Sequence, residues 1–293
     1  MNTNLTVKKW SQRDARRCIL IPTDLDHKYS RGVLGVVTGS RQYPGAAVLS
    51  TRAAGATGVG ALRFIAPNES FEWQPLRIVE QLVAHRSPEV LFTNGKVSAW
   101  LLGSGIGEKS PGGWANRLRH RDLRKAVAQN LPTVLDAGAL YLTGSIKAPT
   151  LITPHCAELA RLLTNRGTSV TSSAIEGDPK KWVQIAASQL GVSVLLKGSI
   201  TYLADASQLI ALPAATPWLA TAGSGDVLAG IIGALVATNA QAIANEEVSI
   251  LEVGASGALI HALSAEHASN GAPISALQIT ESIQQILRKI QVK

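Results

Sequence analysis

The sequence is poor in charged and aromatic residues. Of its 293 residues, 16% are charged and 4% are aromatic, whereas 46% are hydrophobic. Soluble domains carry about 25% charged residues on average, so this chain has a large core, a buried interface between subunits, or both. With so few aromatic residues, the core must be built from Val, Leu, Ile and Ala. That mixture suits parallel strands covered by helices.

Cysteines and long apolar runs are also scarce. The two cysteines, Cys18 and Cys156, form neither a spaced metal-ligand cluster nor a disulfide framework, which fits a reducing compartment. Residues 8–17 are rich in charge and have no apolar centre, so no signal peptide is expected. The apolar run at residues 227–237 is too short to span a bilayer. These absences predict a cytoplasmic protein without a membrane partner.

Positive charge exceeds negative charge, with a formal net charge of +8. The excess is concentrated in residues 8–17 and 117–125. Most of these side chains are interpreted as a solvated helix face. They are also suited to attract a polyanionic ligand such as a nucleotide or dinucleotide. Because no nucleic-acid-binding module interleaves aromatic residues with these charges, no nucleic-acid partner is expected.

Strand-like and helix-like segments alternate along residues 31–293, whereas residues 1–30 show no period and are interpreted as an N-terminal extension. The alternation predicts one α/β domain with a mostly parallel central sheet and helices on both faces. Strands are expected at residues 33–38, 61–65, 90–93, 99–103, 133–138, 150–154 and 192–198, with a paired neighbour at 201–205. Helices are expected at residues 46–58, 76–85, 114–129, 157–164, 181–191, 249–267 and 275–290, besides one that follows Gly225; Ser173 and Glu176 suggest a capping box.

Four turns that follow strands are candidates for chemistry, because ligands of such sheets gather where strands end. Residues 39–47, GSRQYPGAA, lack the lysine of a P-loop, and residues 103–107 read GSGIG. In TPHCAE, His155 and Glu158 are three apart near a helix start and can share one face. The alternatives are a proline turn with a surface glutamate, or a Cys156–His155 nucleophile pair, although adjacent side chains point apart. KGSIT, residues 197–201, is a tight connection or an ordinary turn with an exposed lysine.

The stretch TAGSGDVLAGIIGALVA places one carboxylate between a flexible turn and a long uncharged run. Such a run predicts a buried helix. The N-terminus of that helix offers unpaired N–H groups and a partial positive charge, which suit a phosphate. Asp226 beside an anion site is therefore a candidate catalytic residue, with simple helix capping as the alternative.

Taken in order along the chain, these segments resemble the ribokinase-like superfamily and, within it, the ADP/ATP-dependent NAD(P)H-hydrate dehydratases. The resemblance covers residues 27–235 and is carried by the GAA turn, LLGSGIG, VLDAGAL, TPHCAE, KGSIT and GSGDVLAG. The chain departs from the usual family pattern at Gly138, where DADAL has an acid, at Ser104, where GPG has proline, and at Ala157 before the glutamate.

The resemblance implies a role for each matching residue. Asp226 is the expected base, and the N–H groups of Gly223, Ser224 and Gly225 are the expected anion hole. The hydrated cofactor would be bound by Ala46, Ala47, Gly105, Gly107, His155 and Asp226. The adenine nucleotide would be bound by Lys197, Gly198, Ser199, Ile200, Thr201 and Gly225. Glu158 would hold Mg²⁺ through water.

The implied reaction is the dehydration of the S-epimer of NADHX or NADPHX to NADH or NADPH, in which ADP (or ATP) is the co-substrate and ADP gives AMP and phosphate. The family also implies a homo-oligomer, a tetramer. Many relatives carry a fused epimerase domain in front; because some thirty residues cannot hold one, any epimerase is expected on a separate chain. A kinase for a hydroxymethylpyrimidine or thiazole vitamin precursor is the alternative in the same superfamily, and TPHCAE argues against it. A non-catalytic nucleotide sensor is the alternative from another class, and Asp226 argues against it.

Overall fold

A computed structural model describes residues 5–67, 78–107 and 114–292, with only the backbone for residues 114–116. Its strands form one nine-stranded sheet in the order β1-β9-β8-β7-β6-β5-β4-β2-β3. The strands are β1 (Val7–Lys9), β2 (Val33–Val37), β3 (Ala61–Phe64), β4 (Ala99–Leu102), β5 (Thr133–Leu135), β6 (Thr150–Ile152), β7 (Ser193–Leu196), β8 (Tyr202–Ala204) and β9 (Leu209–Ala211).

The sheet is mostly parallel, as the alternation of segments predicts. Only β8 runs against its neighbours, β7 and β9, and its pairing with β7 confirms the expected neighbour at residues 201–205. The strand expected at residues 90–93 is wrong: Leu91 forms a single bridge to Arg63. The short β9 was not expected, because three residues are too few to show a period.

The N-terminal residues are more closely integrated than the term extension suggests. β1 pairs with β9 at the sheet edge, and the Nε1–H group of the buried Trp10 donates to Ser256 Oγ at 3.2 Å. Ala15 and Cys18 are also buried. β1 is an edge strand with the polar sequence VKK, and its side chains are partly or fully exposed. Residues 20–30 are exposed, and residues 1–4 lie outside the described part of the chain.

Helices cover both faces of the sheet. They are α1 (Gln12–Arg16), α2 (Pro44–Thr57), α3 (Ile78–Arg86), α4 (Trp114–Val127), α5 (Cys156–Thr164), α6 (Ser172–Gly177), α7 (Pro179–Leu190), α8 (Ser224–Thr238), α9 (Ala240–Ala244), α10 (Ile250–Ser269) and α11 (Ala276–Val292). Residues 76 and 77 of an expected helix lie outside the described residues. The capping box expected from Ser173 and Glu176 is wrong, since the Thr171 side chain caps α6 by accepting from Ala174 N at 3.2 Å.

Two apolar clusters hold these layers together, one on each face of the sheet. Side chains alternate along each strand, so Leu101 belongs to one cluster whereas Trp100 and Leu102 belong to the other. In α8, every residue from Val227 to Ala237 is buried, as an uncharged run predicts. Each buried Leu or Ile side chain contributes about 1.5–3 kcal/mol. Within the described residues, no helix combines the length and apolarity needed to cross a membrane.

The parallel strands β2, β4, β5, β6 and β7 end at the same edge of the sheet. The turns 39–43, 103–107, 153–155 and 197–201, together with Asp136, therefore meet at this edge. This placement follows from the topology of parallel sheets.

Candidate active site

Asp226 lies in the first turn of α8 and does not cap the helix. The N-cap is Gly223, with φ of 89°, and no side chain makes a cap hydrogen bond there. Ser224 N–H donates to Thr221 O at 3.3 Å, and Ser224 Oγ donates to Leu219 O at 2.9 Å. The capping alternative therefore lacks its hydrogen bond. Of the three N–H groups expected in the anion hole, that of Ser224 already donates to a backbone oxygen, although this hydrogen bond is long.

The surroundings of Asp226 change its acidity. Burial raises the pKa of this carboxyl, the negative charge of Asp136 raises it further, and the Lys197 ammonium opposes both, so that the pKa reaches about 7. A carboxyl group with such a pKa can exchange a proton near neutral pH, which is what general base catalysis requires.

Asp136 connects the ends of four neighbouring strands. Its Oδ1 accepts hydrogen bonds from Thr153 Oγ1 at 2.8 Å and Lys197 Nζ at 3.1 Å, and its Oδ2 accepts from Ser104 Oγ at 2.8 Å. The carboxylate is buried, with 5% of its side chain exposed. The motif VLDAGAL contributes to the family resemblance, but the sequence alone indicated no role for Asp136. Its position directly after a buried strand, at the edge where ligands gather, was the available signal.

The Lys197 ammonium group lies near the start of α8, between the carboxylates of Asp136 and Glu158. Its Nζ atom is 3.1 Å from Asp136 Oδ1 and 3.7 Å from Glu158 Oε2. Burial lowers the pKa of Lys197, but the charges of Asp136 and Glu158 outweigh burial and raise it. A Cβ atom added to Gly225 would lie 3.8 Å from this ammonium group. A permanent positive charge therefore stands beside the expected anion hole, where it suits a phosphate.

His155 and Glu158 share one face at the start of α5, as their spacing predicts. His155 is the N-cap: Nδ1 accepts from Glu158 N at 3.3 Å, and Glu158 Oε2 accepts from His155 N at 2.8 Å. His155 Nε2 lies 3.5 Å from Glu158 Oε2. Burial raises the pKa of the neighbouring Cys156 thiol, which disfavours the nucleophilic thiolate.

A cavity of about 710 Å³ opens beside Lys197 and the first turn of α8. Its polar wall comes from the loop after β7 and from His155, and its apolar wall from residues 212–220 and α10. The expected nucleotide residues Lys197, Gly198, Ser199, Thr201 and Gly225 all line it, whereas Ile200 does not and is 39% exposed. His155, expected on the substrate side, lines the same cavity.

His261 on α10 also lines this cavity, although no role was expected for it from the sequence. Its ring is buried, and Nε2 has no hydrogen-bond partner among the described residues. Burial lowers the pKa of His261 to about 4, although a hydrogen bond with the Ser224 backbone opposes that change. The ring is therefore neutral at physiological pH. A histidine within an Ala-rich helix gave no pattern from which this position could be recognised.

Four of the residues expected to contact the hydrated cofactor lie in the first turn of α2, which follows β2, and in the turn after β4: Ala46, Ala47, Gly105 and Gly107. At Gly105, which has φ of 65°, an added Cβ would lie 2.3 Å from the Cβ atom of Ala46. The two turns therefore touch where only glycine fits. Gly39 N donates to Ser104 O at 2.7 Å across the same contact. Ala47 is fully buried, whereas a Cβ at Gly107 would meet no atom of the described residues within 4 Å.

Arg119 anchors this region from α4. Its guanidinium group donates to the carbonyl oxygens of Thr38, Gly39 and Ile65, and the residue is only 2% exposed. Interpreting residues 117–125 as a solvated face is correct for Arg117, Arg121, Arg124 and Lys125 but wrong for Arg119. A buried arginine is tolerated because its donors are satisfied by backbone oxygens.

Gly138 departs from the acid usual in the family, and its surroundings explain why a larger residue does not fit. A Cβ atom added there would lie 2.2 Å from Ile106 O and 2.8 Å from Gly107 O. The turn 103–107 thus lies directly against residue 138. At the other departure, Ser104 supplies a hydroxyl that a proline lacks, and this hydroxyl binds Asp136.

Solved structures with the same architecture define the class of fold. An ADP/ATP-dependent NAD(P)H-hydrate dehydratase from Bacillus subtilis superposes with a TM-score of 0.79 at 20% identity, covering 98% of this chain and 100% of that one. A ribokinase-like superfamily protein from Enterococcus faecalis V583 gives a TM-score of 0.78 at 20% identity, covering 99% of this chain and 98% of that one. These similarities establish a ribokinase-like fold.

Residues 34–288 match the family model described as NAD(P)H-hydrate dehydratase, and the chain belongs to that family. A bifunctional NAD(P)H-hydrate repair enzyme of Mycobacterium tuberculosis is 38% identical over 227 residues, which are 74% of this chain and 43% of that protein. The chain therefore spans about half the length of such relatives. An ADP-dependent (S)-NAD(P)H-hydrate dehydratase of Neisseria meningitidis serogroup B is 31% identical over 264 residues, covering 85% of this chain and 81% of that protein.

Proposed function

We propose that this protein repairs damaged nicotinamide cofactors by converting (S)-NADHX or (S)-NADPHX to NADH or NADPH, at the expense of ADP, which yields AMP and phosphate. Family membership and the ADP-dependent relative support the reaction. The observation that carries the proposal is Asp226, a carboxyl group with a pKa of about 7 beside the N-terminus of a buried helix and the Lys197 ammonium.

Asp226 acts as the general base of the first step. It removes the proton from the hydroxyl group of the hydrated ring while that oxygen attacks the terminal phosphorus of ADP, and AMP leaves. Helix N–H groups and Lys197 stabilise the negative charge on the transferred phosphoryl group. Most of the rate enhancement in such transfers comes from positioning and electrostatics, and a general base contributes about 10²- to 10⁴-fold.

Elimination completes the reaction. The phosphorylated ring loses phosphate from the carbon that carried the hydroxyl group and a proton from the neighbouring ring carbon. The double bond of the reduced nicotinamide is thereby restored. In total, water leaves the substrate, and its elements appear in the phosphate and AMP formed from ADP.

The cavity of about 710 Å³ suits an adenine nucleotide. Its apolar wall, formed by residues such as Leu212, Pro217 and Leu228, can enclose a base, whereas Lys197 and Gly225 stand at the phosphate end. The turns around Ala46 and Gly105 would bind the hydrated cofactor. His155 stands between the two groups of residues and faces the cavity, so it can contact either ligand.

The donor set near Glu158 fits Mg²⁺ that arrives with the nucleotide. Among the described residues, no three His, Cys, Asp or Glu side chains group as metal ligands. Mg²⁺ is usually held by one or two carboxylates, waters and substrate phosphates. Glu158, with 11% of its side chain exposed, can therefore contact the ion through water. Bound there, Mg²⁺ would neutralise negative charge on the phosphates.

The protein is proposed to act in the cytoplasm as a homotetramer. Free thiols at Cys18 and Cys156 support a reducing compartment. The exposed apolar side chains of Leu20, Ile21 and Leu25 support subunit association.

The decisive experiment mixes purified protein with (S)-NADHX, ADP and Mg²⁺ and follows the absorbance of reduced nicotinamide together with AMP and phosphate. The proposal predicts equal amounts of NADH, AMP and phosphate. A parallel assay with ATP in place of ADP compares the two donors. Phosphorylation of a thiazole or pyrimidine alcohol without NADHX turnover would instead establish a vitamin-precursor kinase. Nucleotide binding with no turnover of any substrate would establish a sensor.

A further inference from the structure

The turn that would bind the substrate and the loop that would bind the nucleotide are joined by one buried chain of hydrogen bonds. Ser104, in the turn 103–107, donates through Oγ to Asp136 Oδ2 at 2.8 Å. Lys197, the first residue of the nucleotide loop, donates through Nζ to Asp136 Oδ1 at 3.1 Å. Among the described residues, the Asp136 carboxylate thus accepts hydrogen bonds from both regions.

Ser104 cannot change position independently of its turn. The residue has no exposed surface, its carbonyl oxygen accepts from Gly39 N at 2.7 Å, and the next residue, Gly105, lies against Ala46. Any ligand that presses on this turn therefore acts on the Ser104 hydroxyl group. Packed protein interiors transmit such displacements because they hold few voids.

Lys197 has two carboxylates within reach. Its Nζ atom is 3.1 Å from Asp136 Oδ1 and 3.7 Å from Glu158 Oε2. The orientation of Asp136 therefore decides how the ammonium group is shared and where it stands relative to the start of α8. Charge-assisted hydrogen bonds in a buried site are strong enough to fix such an arrangement.

We propose that Ser104 and Asp136 are positioning residues that couple the substrate turn to the nucleotide loop. A ligand on the turn 103–107 holds Ser104 against Asp136, and Asp136 in turn holds Lys197 in the position that binds the phosphates of ADP. The inference rests on the proposed function and deepens it. The coupling is positive, and it is reciprocal, because each ligand must strengthen the other by the same factor.

The test measures this factor by calorimetry on the intact protein. The dissociation constant of ADP is determined alone and with saturating NADPH, the reaction product, which occupies the substrate turn without reacting. The ratio of the two constants is the coupling factor. In the wild type, ADP is expected to bind at least about fivefold more tightly with NADPH present. In Ser104→Ala the ratio should fall to about 1, the value for uncoupled sites.

Thr153→Val is the matched control. It removes a hydrogen bond of 2.8 Å to the same Asp136 carboxylate, but Thr153 itself does not line the cavity and lies outside the turn 103–107. Its coupling factor should remain that of the wild type. A merely structural role of the network would make both variants change alike, and that result overturns the proposal.

Asp136→Asn tests the residue at the centre of this chain of hydrogen bonds. This substitution and Ser104→Ala act on the same connection. A variant that carries both should therefore lose no more coupling than either single variant, whereas the effects of substitutions at two independent sites would add. A wild type that turns over NADHX but shows a factor of 1, or a Ser104→Ala protein that keeps the wild-type factor, refutes the coupling and leaves the proposed function standing. Failure of the wild type to bind NADPH and to turn over NADHX refutes both.

Discussion

Lys197 and Asp136 are 61 positions apart in the sequence, yet the Lys197 ammonium donates to Asp136 Oδ1 at 3.1 Å. Asp136 follows β5 and Lys197 follows β7. Their opposite charges change the pKa of Asp226 in opposite directions. Asp136 raises the pKa of Asp226 and Lys197 lowers it. Besides burial, which raises it most, the pKa of Asp226 on α8 therefore depends on two residues that follow β5 and β7.

Replacement of the expected base is the first prediction. Asp226→Asn should lower kcat by about 10²-fold or more, because the amide cannot take the proton of the substrate hydroxyl group. ADP binding, measured by calorimetry, should persist. Turnover within a few-fold of the wild type would show that Asp226 is dispensable.

The pH dependence follows from the same carboxyl group. Because Asp226 must be ionised to accept a proton and its pKa is about 7, kcat/KM should rise with pH through about 7 and level off above it. Asp136→Asn removes the neighbouring negative charge and should move the midpoint to lower pH. The profile is measured with (S)-NADHX and saturating ADP. A rate that stays constant between about pH 5 and pH 8 would contradict the assignment.

A stability measurement provides a check that is independent of turnover. The folded state raises the pKa of Asp226 from 3.8 to about 7. Its favourable contribution is therefore complete below about pH 3.8 and is lost as the pH rises through about 7. Asp226→Asn should unfold at a higher denaturant concentration than the wild type near pH 8, and the difference should shrink near pH 4.

Loss of the ammonium group should weaken nucleotide binding selectively. Lys197→Ala is expected to raise KM for ADP far more than KM for NADHX, because Lys197 lines the cavity of about 710 Å³ beside Gly225. The family resemblance assigns His155 to the substrate, although it also lines this cavity, so His155→Ala is predicted to raise KM mainly for NADHX. Lys147 is exposed and lies at the ends of the strands opposite the site, so Lys147→Ala serves as the control. Equal effects on both constants in both active-site variants would show that the ligands are misassigned.

The tight contact at Gly138 makes a prediction about stability. A Cβ atom there would lie 2.2 Å from Ile106 O, so Gly138→Ala should displace the turn 103–107. We expect a loss of about 1–3 kcal/mol in the free energy of unfolding, as for other overpacked sites, and a higher KM for NADHX. Gly177→Ala is the matched control, since a Cβ at Gly177 meets nothing within 4 Å. If both variants unfold at the same denaturant concentration, the turn adapts without cost.

Association of subunits is the last prediction. Leu20, Ile21 and Leu25 are 53%, 65% and 93% exposed, which is unfavourable for apolar side chains in water. Sedimentation at micromolar concentration should show a species well above the 30.8 kDa of one chain, with a tetramer as the specific expectation. A clean monomer at that concentration would remove the proposal.

The order of strands, helices and candidate turns was visible in the sequence because it depends on local patterns. The apolar run after Asp226 predicted a buried helix, and α8 is buried from Val227 to Ala237. The spacing of His155 and Glu158 predicted their shared face. Short or polar elements were missed: β1 reads VKK and β9 has three residues, so neither shows a period. Pairing with neighbours identifies them as strands, β1 with β9 at the sheet edge and β9 with both β1 and β8.

The partners of the charged groups were decided by the tertiary structure alone. Sequence patterns located Lys197 and Asp226 as separate candidates, but they could not show that Asp136 lies between Ser104, Thr153 and Lys197. Those contacts arise because parallel strands distant in sequence end at one edge of the sheet. The pKa of a buried carboxyl group depends on burial and on neighbouring charges, and both are properties of the folded chain. The sequence therefore determined which groups are present, and the packing of the strand ends determined what chemistry those groups can perform.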